Sequence, residues 1–459
     1  MSLWTLDEVV TATGGRTVGQ PDAAFGSVSI DSREIEPGAL FVAIKGDRVD
    51  GHDYVDKALA VGAGGAIVSE ARAGELPQDK LIVVPDALEG LRNLGGAARA
   101  RSNAQIVAIT GSAGKTTTKE AIRTMLEAAG HTHASIRSFN NHWGVPLMLA
   151  RLPRHALYGV FEIGMNHAGE ITPLTGLVRP HIAVVTTVAA AHLEFFDSVE
   201  AIAEAKAEIF LGVEPGGTAV LNADHPYLPI LVRRAKEAGI GRIVTYGFSD
   251  AADVRIAIHD GGVLAVDHGK GFVPYLTPAV EGRHMFANIA AALVVGEELH
   301  VRASAIGALA EFEAPEGRGA TVALGPTDKP LLLIDQSYNA NSASMTAALD
   351  VFSRQKPAGR KVLVLGDMLE LGKEGPRLHA ELRDAVIASG AERIYLVGTP
   401  IAALGEALGK DRVTAVVTKV DDIVEPVLSG LAYGDAVMVK GSNGVGLAGL
   451  VKKIRERFA

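Results

Sequence analysis

Residues Thr110–Glu120 read TGSAGKTTTKE and join the apolar run QIVAIT to the helical run KEAIRTMLEAA. A glycine-rich turn between a strand and a helix presents backbone N–H groups and the positive helix end to an anion. The segment therefore predicts a phosphate-binding loop in an α/β sheet. Its glycines, Gly111 and Gly114, enclose only Ser112 and Ala113, whereas the standard loop has four residues between them. The alternative is a glycine turn capped by threonine, with a surface lysine.

The chain after this loop alternates apolar runs with helical stretches. The runs QIVAITG, YGVFEIG, IAVVTTV, TAVLNAD and RIVTYGF predict the strands of a parallel sheet that is covered by helices on both faces. The next segment, VRIAIHDGGVLAVDHGKGFVPYL, has alternating polarity and is split at Gly-Gly and Gly-Lys-Gly. It predicts antiparallel hairpins appended to that sheet.

Two further α/β units flank this central one. The strand candidates SVSI, ALFVAIKG, GAIVS and LIVVPD surround one helical stretch, YVDKALAVGA, and predict a small N-terminal module. After APEGRG, the runs KPLLLIDQSYN, KVLVLGDM, RIYLVG, TAVVTK and DAVMVKGS predict a second open, Rossmann-like sheet. We therefore predict an α/β protein of three domains, at residues 1–83, 84–314 and 315–459.

Composition excludes several classes of function. The 459 residues carry a net charge of -9 and show no cluster of Lys and Arg, so nucleic-acid binding is not expected. The sequence contains no cysteine, which fits a reducing compartment. Asp7 and Glu8 stand where a signal peptide needs positive charge, and the apolar runs are shorter than the roughly 20 residues that span a bilayer. We expect a cytoplasmic protein without membrane insertion.

Several candidate catalytic residues follow the predicted central strands. Lys115 and Thr116 close the phosphate loop, Glu162 ends YGVFEIG, and His192 follows IAVVTTV, with Glu194 two positions later. Open α/β sheets place ligands beyond the carboxyl ends of their strands. A hard oxygen ligand and an imidazole beside a nucleotide suit Mg²⁺. Taken alone, a single histidine at a strand end is more often structural.

The segment Thr418–Asp421, TKVD, follows the run VTAVV and resembles the guanine-reading motif of GTPases. It lies in another predicted domain, about 300 residues after the phosphate loop. A short motif of this kind arises easily by chance. It is the only feature of the sequence that favours a regulatory GTPase. A measured preference for guanine or adenine nucleotides would decide whether the phosphate loop belongs to a GTPase or to an ATP-dependent enzyme.

Longer segments resemble the Mur ligases, ATP-dependent amide-forming enzymes of peptidoglycan synthesis, and the similarity covers essentially the whole chain. Their uridine-nucleotide module is resembled by the segment SIDSREIEPGALFVAIKGDRVDGHDYVDKALAVGA. The short glycine spacing of the loop is typical of the family. The segments that resemble their ATPase and hinge elements are SFNNHWGVPL, FEIGMNHAGEI, AHLEFF, AKAEIF, EGRHMFANIAAAL and EGRG. A muramoyl-nucleotide binding protein without turnover could dispense with Lys115, Glu162 and His192, but all three are present.

The third domain indicates the branch of the family. IDQSYNANSASM and VLGDMLELG resemble the members that join D-alanyl-D-alanine to a UDP-N-acetylmuramoyl-tripeptide. The resemblance implies ATP and Mg²⁺ as cofactors, an acyl-phosphate intermediate and a monomeric enzyme. The alternative is the branch that adds the third-position diamino acid, whose Asp-Asn-Pro-Arg type of acceptor motif is absent. Folylpolyglutamate synthase shares the ATPase core but should lack the DSRE module.

Four positions depart from the family pattern. Met285, Gln336, Ser342 and Asn443 stand where the pattern has Asn, Asp, Pro and Arg, respectively. None of these departures removes a phosphate or metal ligand. Asn443 lacks a charge, which puts in doubt a contact between that loop and an anionic group.

The resemblance implies a role for each matched residue of the central domain. The residues implied to bind the ATP phosphates are Gly111, Ser112, Ala113, Gly114, Lys115, Thr116 and Thr117. Thr116 with Glu162 would hold one Mg²⁺, and His192 would hold a second. Lys206, which is carbamylated in relatives, would become a carboxylate-like metal ligand; its alternative is a solvated lysine on a helix.

Nucleotide and substrate contacts are implied elsewhere in the chain. His284 and Asn288 would lie on the adenine side, with a surface histidine and a helix cap as alternatives. Arg318 would reach the phosphates after domain closure, and Asp335, Tyr338 and Asn339 would meet ribose or the amine substrate. The residues implied to hold the UDP-sugar substrate or order its loop are Ser32, Arg33, His52, Asn140 and Asn141. A surface ion pair is the alternative for Arg33, and a turn-forming residue is the alternative for Asn339.

Overall fold

The computed structural model describes residues 2–46 and 48–459, which form three main sheets in succession along the chain. Met1 and Asp47 of the predicted first domain lie outside the described residues. This architecture confirms the predicted α/β class. No helix among the described residues combines the length and apolar composition that crossing a membrane requires.

The N-terminal sheet has five strands in the order β2-β7-β6-β5-β4, of which only β2 runs antiparallel to its neighbour. The strands of this region are β1 (Trp4–Thr5), β2 (Arg16–Gly19), β3 (Ala24–Phe25), β4 (Val28–Ser29), β5 (Leu40–Val42), β6 (Gly65–Ser69) and β7 (Lys80–Val84). Its helices are α1 (Leu6–Thr13), α2 (Val55–Ala60), α3 (Glu70–Ala73) and α4 (Ala87–Ala100). The predicted boundary at residue 83 falls one residue before the end of β7, and the boundaries stay a prediction.

The sequence prediction of a single helix before residue 83 was wrong, because α1 and α3 also form. The signal for α1 was present: Thr5 accepts a hydrogen bond from the backbone N–H of Glu8, whose carboxylate accepts one from the Thr5 N–H. This reciprocal cap satisfies two free donors at the helix start. The Trp4 indole then donates to the Ala150 carbonyl at 2.8 Å, which ties this segment to the central domain.

The central sheet has nine strands in the order β16-β15-β14-β13-β12-β11-β8-β10-β9. They are β8 (Gln105–Thr110), β9 (Thr132–Ala134), β10 (Tyr158–Glu162), β11 (Ile182–Val185), β12 (Thr218–Asn222), β13 (Arg242–Gly247), β14 (Val254–His259), β15 (Val263–Asp267) and β16 (Val273–Leu276). The helices are α5 (Lys115–Glu127), α6 (Gly144–Ala150), α7 (Ile171–Val178), α8 (Val199–Ala207), α9 (Leu228–Glu237), α10 (Arg283–Glu298) and α11 (Ala303–Ile306). Pairing is parallel from β9 to β14 and antiparallel from β14 to β16, so the predicted hairpins are confirmed.

The position of β8 in this sheet determines where a ligand can bind. Every residue of β8 after Gln105 is buried, as expected for a strand covered on both faces. The chain then continues to β9 and β10 on one side of β8, while β11 lies on its other side. Such a reversal opens a crevice at the carboxyl ends of the strands, where the predicted phosphate loop begins.

The C-terminal sheet has six strands in the order β17-β18-β22-β19-β20-β21, with β17 antiparallel and the others parallel. They are β17 (Ala320–Leu324), β18 (Leu331–Gln336), β19 (Lys361–Gly366), β20 (Arg393–Val397), β21 (Ala415–Val417) and β22 (Ala436–Lys440). The helices are α12 (Ser342–Ser353), α13 (Gly375–Ala380), α14 (Arg383–Ala388), α15 (Ala402–Leu408), α16 (Val420–Gly430) and α17 (Leu447–Phe458). The predicted second open sheet is therefore confirmed.

Candidate active site

The loop between β8 and α5 has the geometry of an anion site. Gly111 and Gly114 have φ angles of 152° and 85°, and Gly114 is the residue that caps α5. A Cβ atom at Gly114 would lie 2.5 Å from Oδ1 of Asn288, and one at Gly111 would lie 2.0 Å from the Thr186 hydroxyl. Both positions therefore favour glycine, because a side chain would strain the backbone and displace these close neighbours.

The other loop residues lie against neighbouring segments. The Ser112 N–H donates to the Thr187 carbonyl at 2.8 Å, and the Ala113 carbonyl accepts from the Thr186 hydroxyl at 2.5 Å. Lys115 donates to the Gly111 carbonyl at 2.6 Å and, with Thr116 and Thr117, lines a cavity at the loop. Burial, together with the nearby Arg318, lowers the pKa of Lys115, and Glu162 opposes this shift.

A polar cluster lies at the start of α5. The Thr116 hydroxyl donates to the Glu162 carboxylate at 2.7 Å and lies 3.2 Å from the Ser138 hydroxyl. The Asn140 amide donates to the other oxygen of Glu162 at 2.8 Å. Glu162 is 1% exposed, and Thr116, Ser138, Asn140 and Glu162 all line the cavity. The structure thus brings together Thr116 and Glu162, the two residues predicted to hold the first Mg²⁺.

The cavity has a volume of about 450 Å³ and is lined by residues of both the central and the C-terminal domain. Asn288 is buried on its wall, where its Oδ1 accepts from Thr118 at 3.3 Å, and it does not cap α10, which begins at Arg283. His284, also on the wall, is half-buried rather than a surface residue, and burial lowers its pKa to about 4. Two of the departures from the family pattern, Met285 and Gln336, line the same cavity.

The C-terminal domain contributes Arg318, Tyr338 and Asn339 to the cavity. The Arg318 guanidinium lies 4.3 Å from the centre of the Tyr338 ring and donates to the Ser138 hydroxyl at 3.3 Å. The Asn341 amide donates to the Ser112 carbonyl of the phosphate loop at 3.1 Å. The two domains therefore meet directly at the predicted phosphate site.

Asp335 makes contacts within the C-terminal domain. Its carboxylate accepts from the N–H and the hydroxyl of Ser337, at 3.0 and 2.7 Å, and Arg455 lies 3.8 Å away. It is 3% exposed and is not among the residues that line the cavity. Asn339 stabilises the turn in which it lies, because its Oδ1 accepts a hydrogen bond from the Ala340 N–H at 2.8 Å.

His192 contacts the C-terminal domain. Its Nδ1 lies 2.5 Å from the carboxylate of Glu370 in the C-terminal domain, and it does not line the cavity. The hydrogen bond to His192 lowers the pKa of Glu370. No group of three or more His, Asp or Glu side chains in the described ranges is arranged to hold a metal ion by protein ligands alone.

Lys206 is not the solvated lysine that its helical position suggested. Its side chain is 1% exposed in α8, and burial, with a contribution from Lys115, lowers its pKa well below the ordinary lysine range. The influence of Lys115 indicates that the two amines lie in one electrostatic environment. Lys206 itself is not among the cavity-lining residues.

The predicted substrate residues of the first domain do not line this cavity. Ser32 is buried, and Arg33 is exposed and paired with Asp31 at 2.6 Å. His52 is 3% exposed, accepts from the Ser69 N–H at its Nε2 and donates from its Nδ1 to Asp50. The partners of His52 favour a structural role. Asn141, similarly, accepts from the Gly144 N–H at 2.9 Å at the start of α6.

Sequence reasoning missed several polar residues of the cavity. The Arg283 guanidinium lies 3.7 Å from the centre of the Phe248 ring, and both side chains line the wall together with Asn222 and Asp224. Lys440 ends β22 and also lines the cavity. The position of Lys440 at the carboxyl end of a parallel strand was a usable signal.

The TKVD segment has no place in this site. Thr418 follows β21, the edge strand that lies farthest from β17 and β18 in the C-terminal sheet. No residue of Thr418–Asp421 lines the cavity. The geometry therefore does not support the GTPase alternative.

Comparisons with known proteins agree with this arrangement. Three family models match successive parts of the chain: the Mur ligase family catalytic domain at residues 25–102, the Mur ligase middle domain at 109–296, and the Mur ligase glutamate ligase domain at 318–443. Among curated relatives, the UDP-N-acetylmuramoyl-tripeptide--D-alanyl-D-alanine ligase of Escherichia coli (strain K12) is 35% identical and covers 98% of both chains. The Rickettsia prowazekii ligase of the same name is 33% identical over 92% of this chain and 94% of that protein.

Solved structures give the same result. A structure of MurF from Acinetobacter baumannii has a TM-score of 0.84 and 28% identity, covering 99% of each chain. MurF ligase from Thermotoga maritima, in complex with ADP, has a TM-score of 0.76 and 25% identity over 94% of this chain and 97% of that one. The identity, the coverage and the order of the three family models leave one conclusion: the chain belongs to the Mur ligase family.

Proposed function

We propose that this protein is an ATP-dependent ligase that joins D-alanyl-D-alanine to a UDP-N-acetylmuramoyl-tripeptide and releases ADP and phosphate. The observation that carries the proposal is that one cavity holds both the phosphate loop of the central domain and the residues Arg318, Tyr338 and Asn339 of the C-terminal domain. The identity of the two substrates is supported by the full-length relatives named above.

The chemistry requires activation of a carboxylate. A carboxylate anion repels nucleophiles and has no leaving group, so its oxygen first takes the γ-phosphoryl group of ATP to form an acyl phosphate, and ADP leaves. The free amine of D-alanyl-D-alanine then attacks the carbonyl carbon, the C–O bond to phosphate breaks, and the amine loses a proton as the amide forms. The first step brings two anions together, and the second develops negative charge on the carbonyl oxygen and the departing phosphate, so both depend on charge neutralisation.

The loop supplies that neutralisation on the nucleotide side. We assign the phosphates of ATP to the backbone N–H groups of residues 111–117 and to the Lys115 ammonium. Lys115 is half-buried at the cavity and its ammonium already donates to a loop carbonyl, so little side-chain freedom remains to be lost on binding. Arg318 approaches from the C-terminal domain, and its contact with Ser138 brings it close to Thr116.

The residues at the loop also fit a magnesium ion. Thr116 and Glu162 present a hydroxyl and a carboxylate 2.7 Å apart at the cavity, and such hard oxygen donors are the ligands that Mg²⁺ prefers. When bound, Mg²⁺ would neutralise charge on the phosphate oxygens. The His192 imidazole contacts Glu370 in this structure. The proposal that His192 holds a second ion is therefore supported by the family resemblance.

We propose that Lys206 is carbamylated in the active enzyme. The support is its burial in an environment shared with Lys115, where an ammonium without an opposite charge is unfavourable. Reaction of the neutral amine with carbon dioxide forms a nitrogen–carbon bond and releases one proton. The product carries a negative charge, which Lys115 and a metal ion would stabilise.

The muramoyl substrate is assigned to the first domain and its junction with the central domain. Ser32, Arg33 and Asn140 are the proposed contacts, and the fixed surroundings of His52 and Asn141 give these two a role in shaping the site. The amine substrate is assigned to the cavity side of Tyr338 and Asn339. We further propose that the protein acts in the cytoplasm as a monomer, with domains close to the ranges predicted from the sequence.

The test is phosphate release from ATP and Mg²⁺ by the purified protein, with UDP-N-acetylmuramoyl-tripeptide and one candidate amine at a time. The amines are D-alanyl-D-alanine, diaminopimelate, lysine and glutamate. Release that needs both the tripeptide and D-alanyl-D-alanine, with a pentapeptide product by mass, is the expected result. Release with diaminopimelate or lysine and a shorter muramoyl peptide would instead favour the ligase that adds the third residue.

A further inference from the structure

Lys440 is a buried lysine of the C-terminal domain that the assignments above do not use. It is the last residue of β22 and pairs in register with Gln336 at the end of β18. Its side chain is 2% exposed and lines the cavity that also contains the phosphate loop. The ammonium donates to the Asn339 carbonyl at 3.0 Å, which fixes its position.

The charge on Lys440 is not compensated by the protein. Its charged neighbours are Arg318 and the imidazole of His284, and no carboxylate in the described part of the chain forms an ion pair with it. Burial, followed by the repulsion of Arg318, lowers the pKa of Lys440 to about 7. A buried ammonium without an opposite charge is unfavourable, so a stable fold alone gives no reason to keep it.

The rest of the cavity wall has the same imbalance. Four side chains that carry a positive charge line it, namely Lys115, Arg283, Arg318 and Lys440, whereas the lining carboxylates are Glu162 and Asp224. Such a wall favours an anionic ligand over a neutral one. Lys115 and Lys440 come from different domains, so an anion held between them would stabilise the association of the two domains.

We propose that Lys440 is an anion-binding residue of this active site, which the C-terminal domain supplies to a substrate in the closed cavity. The anion is either the phosphoryl group that ATP transfers or the terminal carboxylate of the dipeptide. This inference rests on the proposed function, because both anions belong to its substrates. The role differs from that of the phosphate loop, since Lys440 reaches the ligand only when the two domains are together.

The test uses full-length Lys440→Met, which keeps the length of the side chain and removes the charge. Its melting temperature without ligand is expected to equal or exceed that of the wild type, because an uncompensated buried charge is lost. Its kcat/KM is expected to fall on the order of a hundredfold. Lys440→Arg keeps the charge and should recover part of this loss.

Two readouts distinguish the sources of the anion. If Lys440 binds the phosphoryl group, the thermal shift caused by a non-hydrolysable ATP analogue with Mg²⁺ shrinks in Lys440→Met. If it binds the dipeptide, that shift is unchanged and the KM for D-alanyl-D-alanine rises at least tenfold. The analogue measurement needs no turnover, so it tests Lys440 even if the wild type fails to use D-alanyl-D-alanine and the proposed function is lost.

Lys361→Met is the matched control. Lys361 begins the neighbouring strand β19 at the end away from the cavity, and its ammonium donates to the carbonyls of Ser353 and Ser389 at 2.6 and 3.2 Å. This variant should lower the melting temperature and leave kcat/KM unchanged. The proposal is overturned if Lys440→Met keeps wild-type kinetics and analogue binding. It is also overturned if the melting temperature of Lys440→Met falls by as much as that of Lys361→Met while Lys440→Arg recovers none of the lost kcat/KM.

Discussion

The Thr116 hydroxyl and the Glu162 carboxylate lie 2.7 Å apart, although the two residues are 46 positions apart in the chain. Thr116 lies in the first turn of α5, which follows β8, and Glu162 ends β10, the parallel neighbour of β8. The carboxyl ends of parallel neighbours meet at one edge of a sheet, so the topology itself creates this pair. It supplies two oxygen donors beside the phosphate loop.

Replacing Glu162 by Gln is expected to lower turnover about a hundredfold and to raise the Mg²⁺ concentration needed for half-maximal rate. The amide keeps the size of the side chain and an oxygen for Thr116 but loses the negative charge that a cation needs. Phosphate release measured across a Mg²⁺ titration checks this. An unchanged Mg²⁺ requirement would remove Glu162 from the metal site.

Replacing Lys115 by Ala is expected to lower turnover by on the order of a hundredfold or more, because the main cation at the phosphates is lost. The fold should persist, since the side chain is half-buried and its ammonium, whose pKa is lowered by partial burial, donates to the Gly111 carbonyl of the same loop. Steady-state phosphate release and circular dichroism together check both statements. Near-normal turnover in this variant contradicts the assignment of the loop.

Gly114→Ala and Gly216→Ala form a matched pair, because both glycines have left-handed backbones, with φ of 85° and 81°. Each variant should lose about 1 kcal/mol of unfolding free energy from backbone strain. Only the Cβ at Gly114 meets a neighbour, Oδ1 of Asn288 at 2.5 Å, whereas nothing lies within 4 Å at Gly216. Calorimetric titration with a non-hydrolysable ATP analogue should show weaker binding, by tenfold or more, for Gly114→Ala alone. Equal affinities would mean that the loop tolerates the methyl group.

Lys206→Ala should be inactive and partly rescued by short carboxylic acids, which would occupy the space of the carbamate. The expectation follows from the burial of Lys206 and from the influence of Lys115 on its pKa, since a buried carboxylate at this place would meet a positive charge. Turnover measured with and without added acetate or formate checks it, with Lys115→Ala as the variant that these acids should not rescue. A fully active Lys206→Ala enzyme would exclude the carbamate.

Stability should fall as the pH decreases from about 6.5 to about 4, in part through His133. Burial is the main cause that lowers the pKa of His133 from 6.5 to about 4, so the folded protein keeps the ring neutral while the unfolded chain takes up a proton. The unfolded state therefore binds more protons in this range, and acid favours unfolding. His133→Gln should show a shallower decrease of melting temperature between pH 6.5 and 4. The exposed His259, replaced by Gln, is the control that should keep the wild-type slope.

Most strands were predictable because their apolar runs are local signals. The two strands missed in the larger domains, β9 and β17, are both sheet edges. An edge strand buries less of its surface than a central one, so residues such as Thr132–Ala134 carry little apolar signal. In contrast, β8 and β22 are buried along nearly their whole length and were evident from composition alone.

The phosphate loop, the three α/β units and the family resemblance could be recognised from the sequence, because each depends on contiguous residues and their spacing. The neighbours of distant side chains became known only from the folded arrangement of the segments. In the folded protein His192 is paired with Glu370, and the ring nitrogens of His52 form hydrogen bonds with Asp50 and Ser69. The Asp335 carboxylate accepts a hydrogen bond from the Ser337 hydroxyl. The fold also buries Lys440 against the nucleotide cavity. The physical reason is that burial and electrostatic partnership depend on packing between segments, which a local pattern does not record.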